Sequence, residues 1–437
     1  MTALVSFAAL FLSIFLVQMG SGSLGPLDVI AGAERGWSPG EIGLLGSGHF
    51  AGFLIGCFVT PRLIGSVGHS RCFAAAAAIG ATGALLHPVI EGPIAWTVLR
   101  ALTGIAIAAA YTVIESWLQA KTPNESRGRV YGVFRVVDLV GQITAQGMIA
   151  VLDPASYAAY NIVAVFCCLC LLPLALSRRA APTTPVPPRL RPLAAWRLSP
   201  SAMTGVIVAA LSGAAFRMAG PIYALENGLA QTEIAVFLSA AILGGVAAQY
   251  PIGWIADKYD RRIVLVWLSV AAVAGCLWIG LALPPDDPNA IYAGAFVFGL
   301  TAFPIYSVAA ALANDFAEPD FVVDLNASII FYFSVGAIFA PVVAARMIGI
   351  YGPGAMFLFI AAAHLLLILF ALYRMTRRVG TRPVAPYRYT PRTSMVLARL
   401  LKGRQNTDET FSSPEPRSSA AEHSNTGQPE GPERRPM

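Results

Sequence analysis

Residues 232–283 read TEIAVFLSAAILGGVAAQYPIGWI-ADKYDRR-IVLVWLSVAAVAGCLWIGLAL. Two apolar runs, 232–255 and 263–283, flank a short loop that carries Asp257, Lys258, Asp260, Arg261 and Arg262. A bilayer crossing takes about 20 apolar residues in a helix. Each run is long enough, and the loop is too polar to enter lipid. The stretch therefore reads as two membrane spans joined by a basic turn.

The same pattern extends in both directions. Twelve windows qualify, at about 5–29, 41–61, 72–91, 94–118, 129–150, 157–176, 202–225, 232–255, 263–283, 290–313, 326–349 and 353–373. The composition agrees. Of 437 residues 56% are apolar and 12% charged, and mean hydropathy is +0.64. A soluble globular chain carries about 25% charged residues, so this one cannot cover a water-soluble surface. A soluble enzyme, a disordered chain and a disulfide-stapled secreted domain are excluded. An outer-membrane barrel is disfavoured, because its strands alternate apolar and polar residues. The fold class expected is an all-α polytopic membrane protein of twelve transmembrane helices.

Loop charge sets the orientation. With the N-terminus inside, the inner loops hold thirteen basic residues and the outer loops one, Arg35. Both termini are then cytoplasmic. The inner loop around Asp315, Glu318, Asp320 and Asp324 has no basic residue and departs from the pattern. The net charge of +6 follows from these loops and not from a nucleic-acid surface. The N-terminus lacks a basic n-region and a clean cleavage site, so it reads as a retained first span.

Residues 177–200 are rich in Pro and Arg and divide six spans from six. The expected domains are an N-terminal six-helix half (1–176), a cytoplasmic linker (177–200), a C-terminal half (201–373) and a tail (374–437). The halves repeat. Gly36, Glu41 and Ile42 recur as Gly228, Glu233 and Ile234, 192 residues later, and Gly25-Pro26 recurs as Gly220-Pro221, 195 later. Parallel six-helix repeats are a transporter architecture with the substrate site between them. Residues 374–404 of the tail carry nine Lys/Arg and no acid, which suits anionic lipid. Residues 405–437 read as disordered.

An ionisable group inside a span is costly and is paired or lines a wet cavity. Arg135, Asp138, Gln142 and Gln146 form one polar stripe on the fifth span. Asp138, close to mid-bilayer, is the leading proton-carrier candidate; a structural Arg135–Asp138 pair and direct substrate contact are the alternatives. Asp28 on the first span and Arg100 on the fourth can pair. Glu115 lies near the inner end of the fourth span, where Arg71, Arg127 and Arg129 offer a gating partner. Arg217 on the seventh span has no acid within its own span. It suits an anionic substrate or a carboxylate across the interface such as Asp28. Arg346 is placed to snorkel, and His364 to bond between helices. Prolines 26, 221, 251, 304 and 341 are expected to break their spans. Tyr111, Tyr223 and Tyr306 can line a cavity. The histidines are scattered, so no metal site is expected, and the six cysteines read as small packing residues.

Asp257 sits at a helix end beside Lys258, Arg261 and Arg262, a cluster that can cap a neighbouring helix. The run from Gly253 to Arg262 resembles the signature loop of the major facilitator superfamily, G-x-x-x-D-[RK]-x-G-[RK]-[RK], with Asp260 where the family usually has glycine. The first-half equivalent has Gly65 for the aspartate and keeps Gly68. Arg100, Gly104 and Ala108 match the family's R-x-x-x-G-x-x-x-A motif. Val113-Ile114-Glu115-Ser116 and Gln249-Tyr250-Pro251-Ile252-Gly253 are most similar to the YcaD-like branch. The resemblance covers about residues 1–375 and implies two pseudo-symmetric halves, with Arg100 in a cavity-lining or proton-transfer role. The antiporter signature G-x-x-x-G-P is absent from the fifth span, which speaks against drug–proton antiport and leaves uptake and other export open.

The expected function is secondary active transport of a small solute across the cytoplasmic membrane by alternating access, coupled to protons. With no G-x-x-x-x-G-K-[ST] loop, ATP is not the energy source. No cofactor, catalytic constellation or nucleic-acid partner is expected, and the chain is expected to be monomeric. The alternative is a receptor or scaffold of the same fold that signals through its tail.

Overall fold

The computed structural model describes residues 7–122, 127–176, 189–284, 287–318 and 320–377. Residues 177–188 of the linker and the tail after 377, with its expected lipid contact, lie outside them.

The first half comprises α1 (Ala8–Glu34), α2 (Pro39–Val67), α3 (His69–Leu86), α4 (Pro93–Lys121), α5 (Arg127–Ile149), α6 (Tyr157–Leu169) and the short α7 (Leu171–Ala175). A seven-residue helix, α8 (Pro192–Leu198), precedes the second half. That half comprises α9 (Pro200–Glu226), α10 (Gln231–Lys258), α11 (Arg261–Leu281), α12 (Pro288–Ala302), α13 (Pro304–Asn314), α14 (Val322–Tyr351) and α15 (Ala355–Arg377). With α7 prolonging α6 and α13 prolonging α12, each half has six long helical spans among the described residues. Ten of these spans are long and apolar enough by composition to cross a membrane. The other two are α3 and α5, whose hydropathy is lowered by His69 and Arg71, and by Arg135 and Asp138.

The repeat seen in sequence has a local cause. Gly36 and Gly228 turn the chain after α1 and α9 with φ of 75° and 74°, a conformation glycine adopts without steric cost. Glu41 reaches back to the Ser38 amide at 2.8 Å, and Glu233 to the Ala230 amide at 2.7 Å. Each satisfies a free amide at a helix start. The signature-loop departure is explained similarly. Gly68 sits at φ 84° between α2 and α3. Its repeat-mate Asp260 has φ −60° and caps α11, its carboxylate accepting from the Arg262 amide at 2.9 Å.

Most of the expected proline breaks do not occur. Helices α1, α9, α10 and α14 run on through Pro26, Pro221, Pro251 and Pro341. Each proline removes one amide, freeing the carbonyl four residues back, and packed neighbouring helices tolerate this inside a bundle. Only Pro304 separates two helices, at the start of α13. The first span also ends later than the sequence indicates, at Glu34, so Asp28 lies well inside it.

The acidic loop that departs from the charge rule is a counter-charge. Arg261, 3% exposed, donates to Asp257 at 3.0 Å and to Asp315. Arg262 lies over the Phe316 ring at 5.3 Å, and the Arg189 amide donates to Asp324 at 2.9 Å. The end of α13 and the first turn of α14 therefore neutralise the basic turn and hold the end of the linker. Asp315→Ala, which leaves the buried Arg261 short of an acceptor, is expected to destabilise the protein by about 2 kcal/mol. Thermal unfolding in detergent would show it, with Arg261→Gln/Asp315→Ala recovering part of the loss.

The halves meet along α2 and α14, α1 and α9, and α5 and α10. Small residues let the backbones approach. A Cβ on Gly43 would stand 2.7 Å from that of Ala345, and one on Gly46 2.8 Å from Met218 and Pro341. Val29, Ile30, Ile42 and Ile149 belong to the core of the second half. Gln231 donates to the carbonyls of Ile149 and Leu152. These contacts join the halves at the end opposite the basic loops, called here the far end.

Candidate functional site

Two polar clusters are buried in the first half, both built on α1. The first surrounds Asp28, 1% exposed. Arg100 from α4 brings its Nε within 3.5 Å of Asp28 Oδ2, and His87, just after α3, its Nε2 within 3.4 Å. Tyr160 from α6 donates to Oδ1 at 3.2 Å. His87 is oriented by Nδ1, 2.6 Å from the Gly83 carbonyl, and stacks on Tyr160 with ring centroids 5.7 Å apart. Trp96 meets both rings edge-on. Three helices and a helix end thus converge on one carboxylate, in a pocket walled by aromatic rings. The Asp28–Arg100 pair expected from sequence is formed; His87 and Tyr160 complete it.

The second cluster surrounds Asp138 on α5, also 1% exposed. Gln18 from α1 donates to Oδ1 at 2.6 Å, and Tyr111 from α4 donates to the same atom at 2.6 Å. Gln142, one turn on, donates to Oδ2 at 3.1 Å, and Arg135 pairs with Oδ2. Gln18 also donates to Tyr111. The Arg135 side chain is 41% exposed, so the carboxylate is enclosed while its cation is partly uncovered. The stripe read from sequence exists, but it is tied to α1 and α4 as well.

Gln18 and Asp28 are ten residues apart on α1, so about 15 Å of helix separates the two clusters. Arg217 comes from the other half. It is exposed on α9, a helix otherwise largely enclosed, and stands within electrostatic reach of His49 on α2 and Tyr111 on α4. It does not pair with Asp28, whose oxygens face Arg100, His87 and Tyr160.

The remaining candidates are dispersed. Glu115 is buried on α4 near Cys57. Arg71 is exposed at the start of α3 and pairs with no acid among the described residues. Gly253 lies in α10, Lys258 ends that helix with its ammonium 5.0 Å from the Trp254 ring, and Arg261 and Arg262 open α11. His364 meets Ser212 Oγ at 2.9 Å between α15 and α9, as expected. Arg346 is exposed near the far end of α14. Among the described residues no group of three or more His, Cys, Asp or Glu could hold a metal ion.

Sequence reasoning missed Gln18, His49, His87 and Tyr160. Gln18 stands out as an amide in an apolar span. The others carry no signal of their own, because their partners come from other helices.

The repeat shows that these charges are additions to the fold. At the offset of 195, Asp28 corresponds to Tyr223 and Arg100 to Ala295. Tyr223 and Ala295 are buried in the second half's core. The same helix packing is therefore made there with no ion pair.

Known proteins agree with this architecture. The profile of the Major Facilitator Superfamily matches residues 10–200 and 202–407. An uncharacterized MFS-type transporter of Enterobacter sp. (strain 638) is 27% identical over 353 residues, covering 78% of this chain and 88% of that protein. The uncharacterized MFS-type transporter YcaD of Salmonella arizonae is 26% identical over 352 residues, 78% and 88% of the two chains. Among solved structures, the nucleoside transporter NupG superposes with a TM-score of 0.67 at 15% identity, covering 85% of this chain and 99% of that one. A bacterial homolog of the human lysosomal transporter Spinster, inward-facing and unoccupied, gives 0.66 at 14% identity, covering 85% and 94%. With the two pseudo-symmetric six-helix halves, these matches make the chain a member of the Major Facilitator Superfamily, a multi-pass membrane transporter and not an enzyme.

Proposed function

We propose that this protein is a secondary active transporter that carries a small solute across the cytoplasmic membrane by alternating access, with protons as the coupling ion and both termini in the cytoplasm. The reading rests on one observation: Asp28 and Arg100 are buried in the first half at positions where the repeat-mate half packs Tyr223 and Ala295 instead. Burying an ionisable group costs a few kcal/mol even on insertion scales, and the fold does not require it, so the charges are kept for what they do.

Transport then follows from the helix seams. The far end is closed by the glycine-lined contacts of α2 with α14 and by the Gln231 bonds. Rocking of the halves opens those seams and closes the opposite end. Asp138 couples this motion to protons. Ionised, it binds α1, α4 and α5 together through Gln18, Tyr111 and Arg135. Protonation removes the charge that holds Arg135 and loosens the three helices from one another. A carboxylate whose hydrogen-bond partners sit on separate moving helices converts a proton into a change of packing.

Proteoliposomes carrying a pH dye, challenged with pooled solutes, test this. A pool that moves protons is the expected result. Counterflow without proton movement would remove the coupling; silence in both would remove transport. A chain ending at Arg377 is expected to transport at the full rate, since the helices and both clusters precede that point.

A further inference from the structure

His87 ends α3 at the far end, and the hydrogen bonds around it fix where its hydrogens are. The last carbonyls of a helix have no amide within the helix to accept from. The His87 amide turns to the Ala84 carbonyl at 3.3 Å, and the His87 ring caps Gly83, with Nδ1 2.6 Å from that carbonyl. A carbonyl offers only lone pairs. Nδ1 is therefore the nitrogen that carries hydrogen, an assignment made from this bond. A neutral imidazole has one N–H, and here it is already used. Nε2 of a neutral His87 is a bare acceptor.

That acceptor faces another. Asp28 Oδ2 lies 3.4 Å from Nε2. Both atoms are buried, and neither has a hydrogen-bond partner among the described residues. The other carboxylate oxygen, Oδ1, accepts from the Tyr160 hydroxyl at 3.2 Å. Arg100 Nε stands 3.5 Å from Oδ2 without the geometry of a hydrogen bond. Two lone pairs thus meet in a pocket walled by Trp96 and Tyr160, where an unmatched acceptor is costly. One added proton turns the contact into a hydrogen bond from either side, as imidazolium to carboxylate or as carboxylic acid to imidazole. The two forms have the same composition and the same net charge.

The other groups that face the pair are Arg100 from α4 and Tyr160 from α6, with Arg35, just after α1, above the Trp96 ring at 4.9 Å. From α9 comes Met218, which is apolar. The two arginines oppose a further positive charge. They act from outside the pair, whereas the proton lies directly between two atoms that have no other donor. Hydrogen bonds with a charged member are the strong ones.

We infer that Asp28 and His87 bind one proton between them, which makes this cluster a proton site of its own, separate from Asp138. The inference goes beyond the transport reading and does not rest on it, because this proton is resident and acts on packing. Bound, it ties the end of α3 to α1. Trp96 meets the His87 ring edge-on and donates its indole N–H to the Ile90 carbonyl at 2.7 Å, so the tie extends to the turn between α3 and α4. Without the proton the two lone pairs repel, and the end of α3 is released from α1. Acidity thus latches the far end of the first half.

The test is ring-nitrogen NMR of the full chain in nanodiscs with isotope-labelled histidine, together with infrared spectra of the carboxyl region. The chain has five histidines. His87 is recognised by its contact with the Tyr160 ring stacked on it at 5.7 Å, so no variant is needed to assign it. The spectra are taken at about pH 7.5, where a free imidazole is mostly neutral. His87 is expected either to carry hydrogen on both nitrogens or to stand neutral beside a carboxylic-acid band that Asp28→Asn removes. A neutral ring with a bare Nε2 and no such band overturns the inference. Asp138→Asn is expected to leave these signals unchanged; their loss in that variant would make the two clusters one site and overturn the separation. The unfolding midpoint is a second readout. A native state that holds one proton more than the unfolded chain loses stability as pH rises, its folded-to-unfolded ratio falling by up to about tenfold per pH unit. His87→Gln, which supplies an amide N–H but no titratable ring, is expected to lack that part of the slope. Equal slopes in parent and variant overturn the inference.

Discussion

Asp138→Asn is expected to cut solute-driven proton movement by roughly 100-fold or more, the range for losing a proton-transferring group, while solute counterflow continues. Asparagine keeps the size of the side chain and can still accept from Gln18 or Tyr111, so the fold around it is kept. What it loses is the charge. Arg135 no longer has a carboxylate to hold, and the site is fixed in a form like the protonated one. A carrier locked in that form can shuttle solute both ways but cannot carry a proton with it. The measurement is paired: pH-dye flux and counterflow in the same proteoliposomes. Loss of both would make Asp138 structural, the reading in which the Arg135 pair only holds the stripe together. Retention of both would move the coupling role to the other buried carboxylate, Asp28, where His87 stands within 3.4 Å as a second titratable group.

The architecture was legible in the sequence because its causes are local. Apolar length marks the spans, and Gly36 and Glu41 repeat as Gly228 and Glu233 because each half starts its second helix in the same way. The Asp28–Arg100 pair was legible too, since two buried opposite charges have few other choices. The site around them was less so. Asp138 shows its neighbours on α5 at helical spacing, but Gln18 and Tyr111 reach it from helices 120 and 27 residues away in sequence. His87 falls inside the third apolar window and shows no partner until the fold brings Asp28 to it. Of the two partners open to Arg217 in sequence, an anionic substrate or a carboxylate such as Asp28, the second is pre-empted by three groups of the first half. The proline breaks misled for a different reason. A proline's missing amide is a local fact, whereas its toleration depends on packing contributed by other helices.

A second large effect is expected where the backbones of two helices touch. Gly52 of α2 lies against α4 so closely that a Cβ would land on the carbonyl oxygen of Ala101, and Gly104 of α4 lies against the carbonyl of His49 in the same way. The second half repeats the device. Gly244 of α10 meets the carbonyl of Phe296, and Gly299 of α12 meets that of Ala241. The positions correspond at the offsets of 192 and 195 found in the sequence. Two opposing effects then bear on Gly52→Ala and Gly299→Ala. Alanine is the better helix former by about 1 kcal/mol. The added methyl meets backbone, which cannot swing aside as a side chain can, so the helices must part along their whole contact. Overpacking of this kind costs up to about 3 kcal/mol and sometimes more, so each variant is expected to lose folded protein. Gly147→Ala, with open space around it, should change stability by no more than about 0.5 kcal/mol. The yield of monodisperse protein and its unfolding midpoint decide between the two effects. If Gly52→Ala is as stable as the parent, α2 and α4 do not approach at backbone contact. If it fails and Gly299→Ala does not, the two halves share a helix order without sharing the packing that the repeat implies.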